Sequence, residues 1–307
     1  MKTNIKKGIS SKKVGLEASD RRIGIILIIP VIIFMLFLVA YPLVNLVILS
    51  TQNYNMLTGA NKFTGMKNYL SVFEKSDFWH ALSNTMIYAI FTLFPASALG
   101  TLYAVVLNQK IVFRSLIRAF VIFPYLVPMV VSCAVFKYMF NDLVGILDHT
   151  IIELGLSEKS INLFGNYKLA MAGVVMVSIW KYTPMMMIAV LGKLQTIPSH
   201  LYEAAKIDGS NAWNSFWHIT FPYIQPVLIV VMLMRFIWLF NKWDVIYLLT
   251  GGGPLDATQT LPTLLYSEAF SSYNLGGAAA IGVIMFLLLV IFSKIYYRIN
   301  EKAEGRL

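Results

Sequence analysis

The stretch EAAKIDGSNAWNSFWHITFPYIQP, residues 203–226, is polar and partly charged, although an apolar run lies on either side of it. The residues up to Asp208 favour a short helix, and Gly209 can supply the left-handed residue that ends it. The following NAWNSFWHIT predicts a second short helix that stops at Pro222, since proline interrupts a helix. We therefore expect a solvent-exposed, helical loop between two membrane spans.

The first of these helices carries a small, mainly apolar stripe. Its members recur at helical spacing and are Leu201, Ala204, Ala205 and Asp208. Glu203 and Lys206 lie at its edges. A compact apolar knob with charged borders suits insertion into a cleft on another protein.

The rest of the chain has the composition of an integral membrane protein. Of 307 residues, 58% are hydrophobic and only 13% are charged, against about 25% charged in a typical soluble domain. The net charge is +10, but Lys and Arg fall mostly in short segments between apolar runs, which excludes a nucleic-acid surface. Cys133 is the sole cysteine and the four histidines are scattered, so neither a disulfide nor a metal site is predicted.

Six segments are long and apolar enough to cross a bilayer, which takes about 20 residues. They are 23–50, 83–107, 116–140, 167–192, 224–250 and 276–298. The polar start is too long for a cleavable signal peptide, so the first span is predicted to be retained. These spans make up a permease domain over 23–298, with the polar loop at 193–223 and tails at 1–22 and 299–307.

The basic residues predict the orientation. With the N-terminus in the cytoplasm, the inside segments hold 16 Lys or Arg and the outside segments hold five. Cytoplasmic loops carry the excess of Lys and Arg in membrane proteins. Both tails and the polar loop are thus expected on the cytoplasmic side, in a bacterial cytoplasmic membrane.

The polar loop resembles the EAA loop of ABC-importer permeases. The matching positions, at the spacing of that motif, are Glu203, Ala204, Ala205, Asp208, Gly209, Phe216, Ile219, Pro222 and Pro226. Three further stretches are similar to the carbohydrate-uptake branch, which includes the maltose-transporter permease: FTGMKNYLSVF at 63–73, IPSHLYEAA at 197–205 and LLTGGGP at 248–254. The resemblance covers almost the whole chain and is weakest in the first 22 residues.

This resemblance implies an all-α, six-transmembrane-helix permease fold of the type I ABC importers. The coupling helix of that fold, here with Glu203, Ala204, Ala205, Asp208 and Gly209, sits in a groove of an ATP-binding subunit. The implied partners are a second homologous permease, two ATP-binding subunits that use ATP and Mg²⁺, an extracytoplasmic solute-binding protein and a saccharide. The chain itself has no GxxxxGK[ST] loop and is expected to have no cofactor and no ATPase activity.

The same resemblance implies a saccharide site in spans four and five. The positions that correspond to the sugar site of the maltose permease are Ser178, Lys181, Tyr182, Arg235, Trp238, Leu239, Lys242 and Asp244. On a continuous helix, Arg235, Trp238 and Lys242 would share one face, while Asp244 would lie toward the other. Three bases against one acid favour an anionic saccharide, because Arg and Lys pair well with carboxylate or phosphate.

Other functions stay open at this point. Lys242 can pair with Asp244 instead of with a solute, which leaves a neutral sugar, a polyol or a sugar phosphate as alternatives. A self-contained secondary transporter would need an acidic relay or inverted repeats, and Asp244 is the one acid available in the spans. A membrane enzyme would need clustered carboxylates or an activated nucleophile, and no such spacing is visible.

Overall fold

The computed structural model describes residues 18–155 and 160–304, and most of them are helical. The two predicted tails lie partly beyond the described residues. Lys159, one of the five basic residues assigned to the extracytoplasmic segments, is not among the described residues. The chain divides into two compact units, 1–48 and 49–307.

The first unit is helical throughout its described residues. It consists of α1 (Ala18–Met35), a π-helical turn (Leu36–Ala40) and α2 (Tyr41–Ser50), whose last two residues belong to the second unit. From Ile23 to Ser50 this helix is apolar over 28 residues, long enough to cross a bilayer. Pro30 lies inside α1 without ending it.

The second unit holds the remaining elements. Its helices and strands are β1 (Gln52–Tyr54), β2 (Asn61–Phe63), α3 (Lys67–Glu74), α4 (Ser76–Asn108), α5 (Arg114–Leu126), α6 (Met129–Met139), α7 (Ile146–Glu153), α8 (Ala170–Leu194), α9 (Ser199–Ile207), α10 (Ala212–Ser215), a π-helical turn (Phe216–Thr220), α11 (Phe221–Phe240), α12 (Asp244–Leu249), α13 (Leu261–Tyr266), a π-helical turn (Ser267–Ser271) and α14 (Leu275–Glu304). Strands β1 and β2 pair antiparallel, with Gln52 opposite Phe63. This hairpin was not predicted, because three-residue strands leave no readable alternation.

Within residues 18–155 and 160–304, five helical stretches are long and apolar enough to cross a membrane, and α5 with α6 forms a sixth candidate. These two helices meet at an angle of 95°. The span predicted over 116–140 is therefore two helices, and the bend falls at Val127 and Pro128. Proline at 128 lacks the N–H that would continue α5, which explains the position of the break.

Helix α8 forms the centre of the second unit, and 67% of its most apolar stretch is buried. It packs closely against α4, since a side chain at Gly100 would lie 2.5 Å from Cβ of Met186. Pro95 in α4 and Pro184 in α8 are accommodated inside continuous helices. This close pair is the scaffold against which α11 and α12 hold the polar groups of the membrane interior.

Two sequence predictions on the fifth span are wrong. The helix that follows the polar loop does not stop at Pro222; it runs through the π-helical turn into α11 and continues past Pro226. The wider turn lets a proline ring follow without a clash against the preceding turn. The helix also ends at Phe240 and not near residue 250, and α12 starts separately at Asp244.

Candidate functional site

A cavity of about 270 Å³ lies where α8 meets the end of α11. Its lining combines one aromatic ring of α8 with the last turn of α11 and the break that follows, namely Tyr182, Arg235, Ile237, Trp238, Leu239, Asn241 and Lys242. Five of the eight predicted saccharide positions thus meet at one place. Ile237 and Asn241 were missed; Asn241 is an exposed polar residue in an apolar run, a signal that the sequence did contain.

Arg235 is the dominant charge of this cavity. It is only 4% exposed, and its guanidinium carbon lies 4.0 Å from the ring centroid of Tyr182 and 5.7 Å from that of Trp238. Among the described residues, its Nε and Nη2 atoms have no hydrogen-bond partner, and neither has the Tyr182 hydroxyl. Buried donors of this kind are costly unless they are paired. Protein atoms cover these groups, so an acceptor that enters the cavity pairs with them only after the Arg235 side chain rotates toward it.

Lys242, which lines the cavity, forms an ion pair with Asp244, with Nζ and Oδ1 3.1 Å apart. The prediction that they project from different faces of one helix is wrong, because α11 ends at Phe240 and the chain turns between them. Asp244 also accepts a hydrogen bond from the N–H of Val245 at 2.8 Å. The pair is partly exposed, so a solute can reach both charges.

Ser178 and Lys181, two further predicted saccharide positions, do not line the cavity. The Ser178 hydroxyl is fully buried and lies 3.0 Å from the Tyr88 hydroxyl in α4. The ammonium of Lys181, 6% exposed, donates to the carbonyls of Pro124 and Val127 at the bend between α5 and α6.

A larger cavity of about 820 Å³ lies between α4, α5 and α8, but its lining is almost entirely apolar. Saccharide sites need hydrogen-bonding groups as well as an apolar ring face. Trp238, which is 51% exposed, and Tyr182 can cover such a face in the smaller cavity. The smaller cavity is therefore the better candidate for a sugar.

The polar loop forms a separate functional surface. Helix α9 is followed after Asp208 by a left-handed residue, Gly209, with φ +78, and the N–H of Ser210 donates to the Ala205 carbonyl at 2.8 Å. The predicted glycine termination is therefore confirmed. Asn211 then caps α10 by accepting from the Asn214 N–H at 2.8 Å. These bonds present α9 as a short, defined helix between two long ones.

Helix α9 and the turn after it expose four of the five predicted coupling residues. Glu203, Ala204, Asp208 and Gly209 are exposed, and Ala205 is half-buried. Ile207, which was not predicted, is 87% exposed, so a large apolar side chain stands at the tip. Leu201 and Tyr202 instead pack inward against the apolar cluster at the ends of α8 and α11.

Comparison with known proteins places this geometry in context. The family model described as "binding-protein-dependent transport system inner membrane component" matches residues 96–305. The trehalose/maltose transport system permease MalF of Thermococcus litoralis is 32% identical over 289 residues, covering 93% of this chain and 96% of the relative. The sulfoquinovosyl glycerol transport system permease SmoG of Agrobacterium fabrum is 30% identical, covering 92% of each chain.

A solved structure shares the fold. A chain in the crystal structure of a bacterial alginate ABC transporter, in complex with a periplasmic protein that holds an alginate pentasaccharide, matches with a TM-score of 0.82 at 18% identity. The match covers 93% of this chain and 96% of that one. The six-span permease architecture of type I ABC importers is thereby confirmed.

Proposed function

Because the chain belongs to the family of binding-protein-dependent transport system inner membrane components, in its carbohydrate-uptake branch, we propose that it forms half of the membrane pathway of an ATP-driven saccharide importer. A second homologous permease would complete the pathway. Two ATP-binding subunits would supply the energy, and an extracytoplasmic binding protein would deliver the solute. Relatives named for trehalose/maltose and for sulfoquinovosyl glycerol support a glycoside as that solute.

The coupling step is assigned to α9. Its exposed face combines a carboxylate at Glu203, small residues at Ala204 and Ala205, and the apolar side chain of Ile207. Such a knob fits an apolar groove with a basic residue at its edge, which an ATP-binding subunit can provide. When the ATP-binding subunits close, they would shift the seated helix, and α11 would carry the shift to the cavity and alternate its access.

The excess of Lys and Arg supports cytoplasmic termini and a cytoplasmic α9. A cysteine in place of exposed Lys206 tests this orientation, in a chain whose buried Cys133 has been replaced by alanine. A membrane-impermeant maleimide should label it in inverted vesicles and not in intact cells. Labelling from outside would contradict the proposed coupling role.

The substrate is assigned to the cavity of Arg235, and we propose an acidic saccharide. The observation that carries this is the buried guanidinium with unpaired Nε and Nη2 atoms beside two aromatic rings. After a rotation of the Arg235 side chain toward the cavity, a carboxylate or phosphate could accept from both donors, and the rings of Tyr182 and Trp238 could cover the sugar. The non-helical break at 241–243 would admit the rest of an oligosaccharide.

A neutral saccharide is the second candidate, and a specific observation favours it. Of the three bases, Lys242 is paired with Asp244, whereas Lys181 does not line the cavity and donates to two carbonyls. The cavity then has the single positive charge of Arg235. A neutral sugar would use this guanidinium as a hydrogen-bond donor to hydroxyl groups.

Uptake into proteoliposomes that contain the whole complex separates these candidates. We would compare a labelled oligouronate with a neutral oligosaccharide of equal length, in wild type, Arg235→Ala and Arg235→Lys. An acidic substrate predicts that Arg235→Ala abolishes oligouronate uptake, that Arg235→Lys restores part of it, and that copurification of the complex is unchanged. Lys137→Ala, which alters an exposed cation of α6 outside the cavity, is the matched control.

Oligouronate uptake that survives Arg235→Ala would refute the assignment of the site. Uptake of the neutral sugar alone would favour the second candidate. Transport by the chain without copurifying ATP-binding subunits would refute the importer itself and favour a secondary transporter.

A further inference from the structure

Two hydroxyl groups link the coupling loop to the base of the long helix that bears Arg235. The Tyr202 hydroxyl in α9 lies 2.9 Å from Oγ1 of Thr220. Thr220 is only 6% exposed, and its hydroxyl lies 3.4 Å from the Ser215 carbonyl. With Thr220 donating to that carbonyl, its oxygen accepts the proton of Tyr202. The two contacts then run from α9 into the backbone of the next helix.

Thr220 closes the π-helical turn at the start of α11. The N–H of Phe221 bonds to the Phe216 carbonyl, a spacing of five residues. Single π-helical turns occur frequently at functional sites, where they interrupt the regular hydrogen-bond ladder. From this turn α11 runs without a break to Arg235 and Trp238. A rotation applied at Thr220 is therefore carried directly to the candidate saccharide cavity.

The apolar packing around the Tyr202–Thr220 contact does not fix the position of α9 relative to α11. Leu201 and Ile219 lie among the apolar side chains at the ends of α8 and α11, but apolar contacts are non-directional and allow sliding. A cavity of about 500 Å³, lined by Tyr202, Lys206 and Thr220 among others, leaves one side of the link loosely packed. The hydrogen bond is directional and loses strength when its angle changes. It is thus the contact that can turn a displacement of α9 into a rotation of α11.

We propose that the Tyr202–Thr220 hydrogen bond is the strut that transmits movement of the coupling helix to α11. Tyr202 is then a positioning residue for transport, one that touches neither the solute nor ATP. This inference rests on the proposed coupling role of α9 and deepens it. It assigns a function to a residue that faces away from the docking surface formed by Glu203, Ala204 and Ile207.

The test uses a reporter cysteine in the cavity of the complete complex. Cys133→Ala removes the native thiol, and Asn241→Cys places a new one on the exposed cavity wall. The probes are a maleimide and MgATP with vanadate, so no solute is required. In the otherwise unchanged complex, the labelling rate should differ between the nucleotide-free and vanadate-trapped states. ATP hydrolysis and copurification are measured on the same preparation.

Tyr202→Phe and Thr220→Val each remove one hydroxyl. We expect each to reduce the nucleotide-dependent change in labelling about two- to tenfold, the size that follows from the loss of one hydrogen bond. ATP hydrolysis should persist, since the docking face is intact. Thr220→Ser, which keeps the hydroxyl, should retain the change, and so should Tyr223→Phe, which alters an exposed phenol on α11.

Several results would overturn the strut. These are a normal labelling change in Tyr202→Phe, an additive loss in the Tyr202→Phe/Thr220→Val double variant, or a fall in hydrolysis proportional to the fall in labelling. Should Tyr202→Phe not assemble, the contrast between Thr220→Val and Thr220→Ser decides. Glu203→Ala distinguishes a failure of the coupling role of α9 from a failure of the Tyr202–Thr220 strut. If Glu203→Ala keeps the nucleotide-dependent change in labelling, the coupling role itself is refuted. If Glu203→Ala loses that change while Tyr202→Phe keeps it, only the strut is refuted.

Discussion

The ammonium of Lys181 donates a hydrogen bond to the carbonyl of Pro124 at 2.9 Å. In a regular helix this carbonyl would accept from the N–H of residue 128, but residue 128 is proline and has none. Lys181 supplies the missing donor from α8 and also reaches the Val127 carbonyl. A buried charge thus stabilises the 95° bend between α5 and α6.

Lys181→Met should destabilise the protein, because it leaves these two carbonyls without their donor inside the membrane. We expect a loss of about 1–3 kcal/mol in the free energy of unfolding, the usual cost of an unsatisfied buried polar group. The apparent melting temperature of the detergent-solubilised complex measures it. Lys137→Met, at an exposed position of α6, should change stability by less than about 0.5 kcal/mol. Equal effects of the two variants would contradict the role of Lys181.

Asp244→Asn should strengthen binding of an acidic saccharide. The substitution removes the negative charge that compensates Lys242, while the amide oxygen can still accept from the Val245 N–H. The KM for oligouronate uptake should fall about tenfold, which corresponds to about 1.4 kcal/mol, and the KM for a neutral oligosaccharide should stay the same. A parallel shift for both sugars would show that the ion pair shapes the cavity and does not set its charge.

Gly100→Ala should loosen the contact between α4 and α8. The added Cβ would lie 2.5 Å from Cβ of Met186 and 2.9 Å from the backbone N of Met187, so the helices must move apart. Overpacking of this kind costs about 1–3 kcal/mol. Gly192→Ala is the matched control: its Cβ would meet nothing within 4 Å, and alanine favours the helix. The two variants should shift the melting temperature in opposite directions, and a shift of equal sign would refute the packing argument.

Asn84→Leu should free the loop that precedes α13. The Asn84 side chain, 6% exposed, donates to the carbonyls of Asp256, Ala257 and Gln259 at 3.0–3.3 Å. Loss of these bonds should increase amide hydrogen exchange over residues 251–259 by about tenfold or more, as expected for 1–3 kcal/mol of local stability.

Thr92→Val is the control for this variant. Thr92 lies in the same helix and is buried, and its hydroxyl has no hydrogen-bond partner among the described residues. Its replacement should leave exchange in the loop unchanged and should not lower the melting temperature. Protection of residues 251–259 that survives Asn84→Leu would show that other contacts hold the loop.

The sequence by itself determined the class of the molecule. The apolar runs follow from the cost of placing polar side chains in lipid, and the helical loop with Gly209 after α9 follows from local backbone preference. These signals depend on residues that are neighbours in the sequence, so they can be recognised before the three-dimensional structure is known. The same is true of the motif from Glu203 to Gly209 and of the family that it indicates.

Only the tertiary structure decided which charges are available to a solute. Arg235, Lys181 and Lys242 look alike as bases in apolar runs, yet one has unpaired donors, one satisfies the carbonyls of a bend and one pairs with Asp244. The partners of Lys181 lie more than 50 residues away, and the pairing of Lys242 depends on where α11 ends. Electrostatic roles are set by distance in space and by burial, which local sequence does not encode.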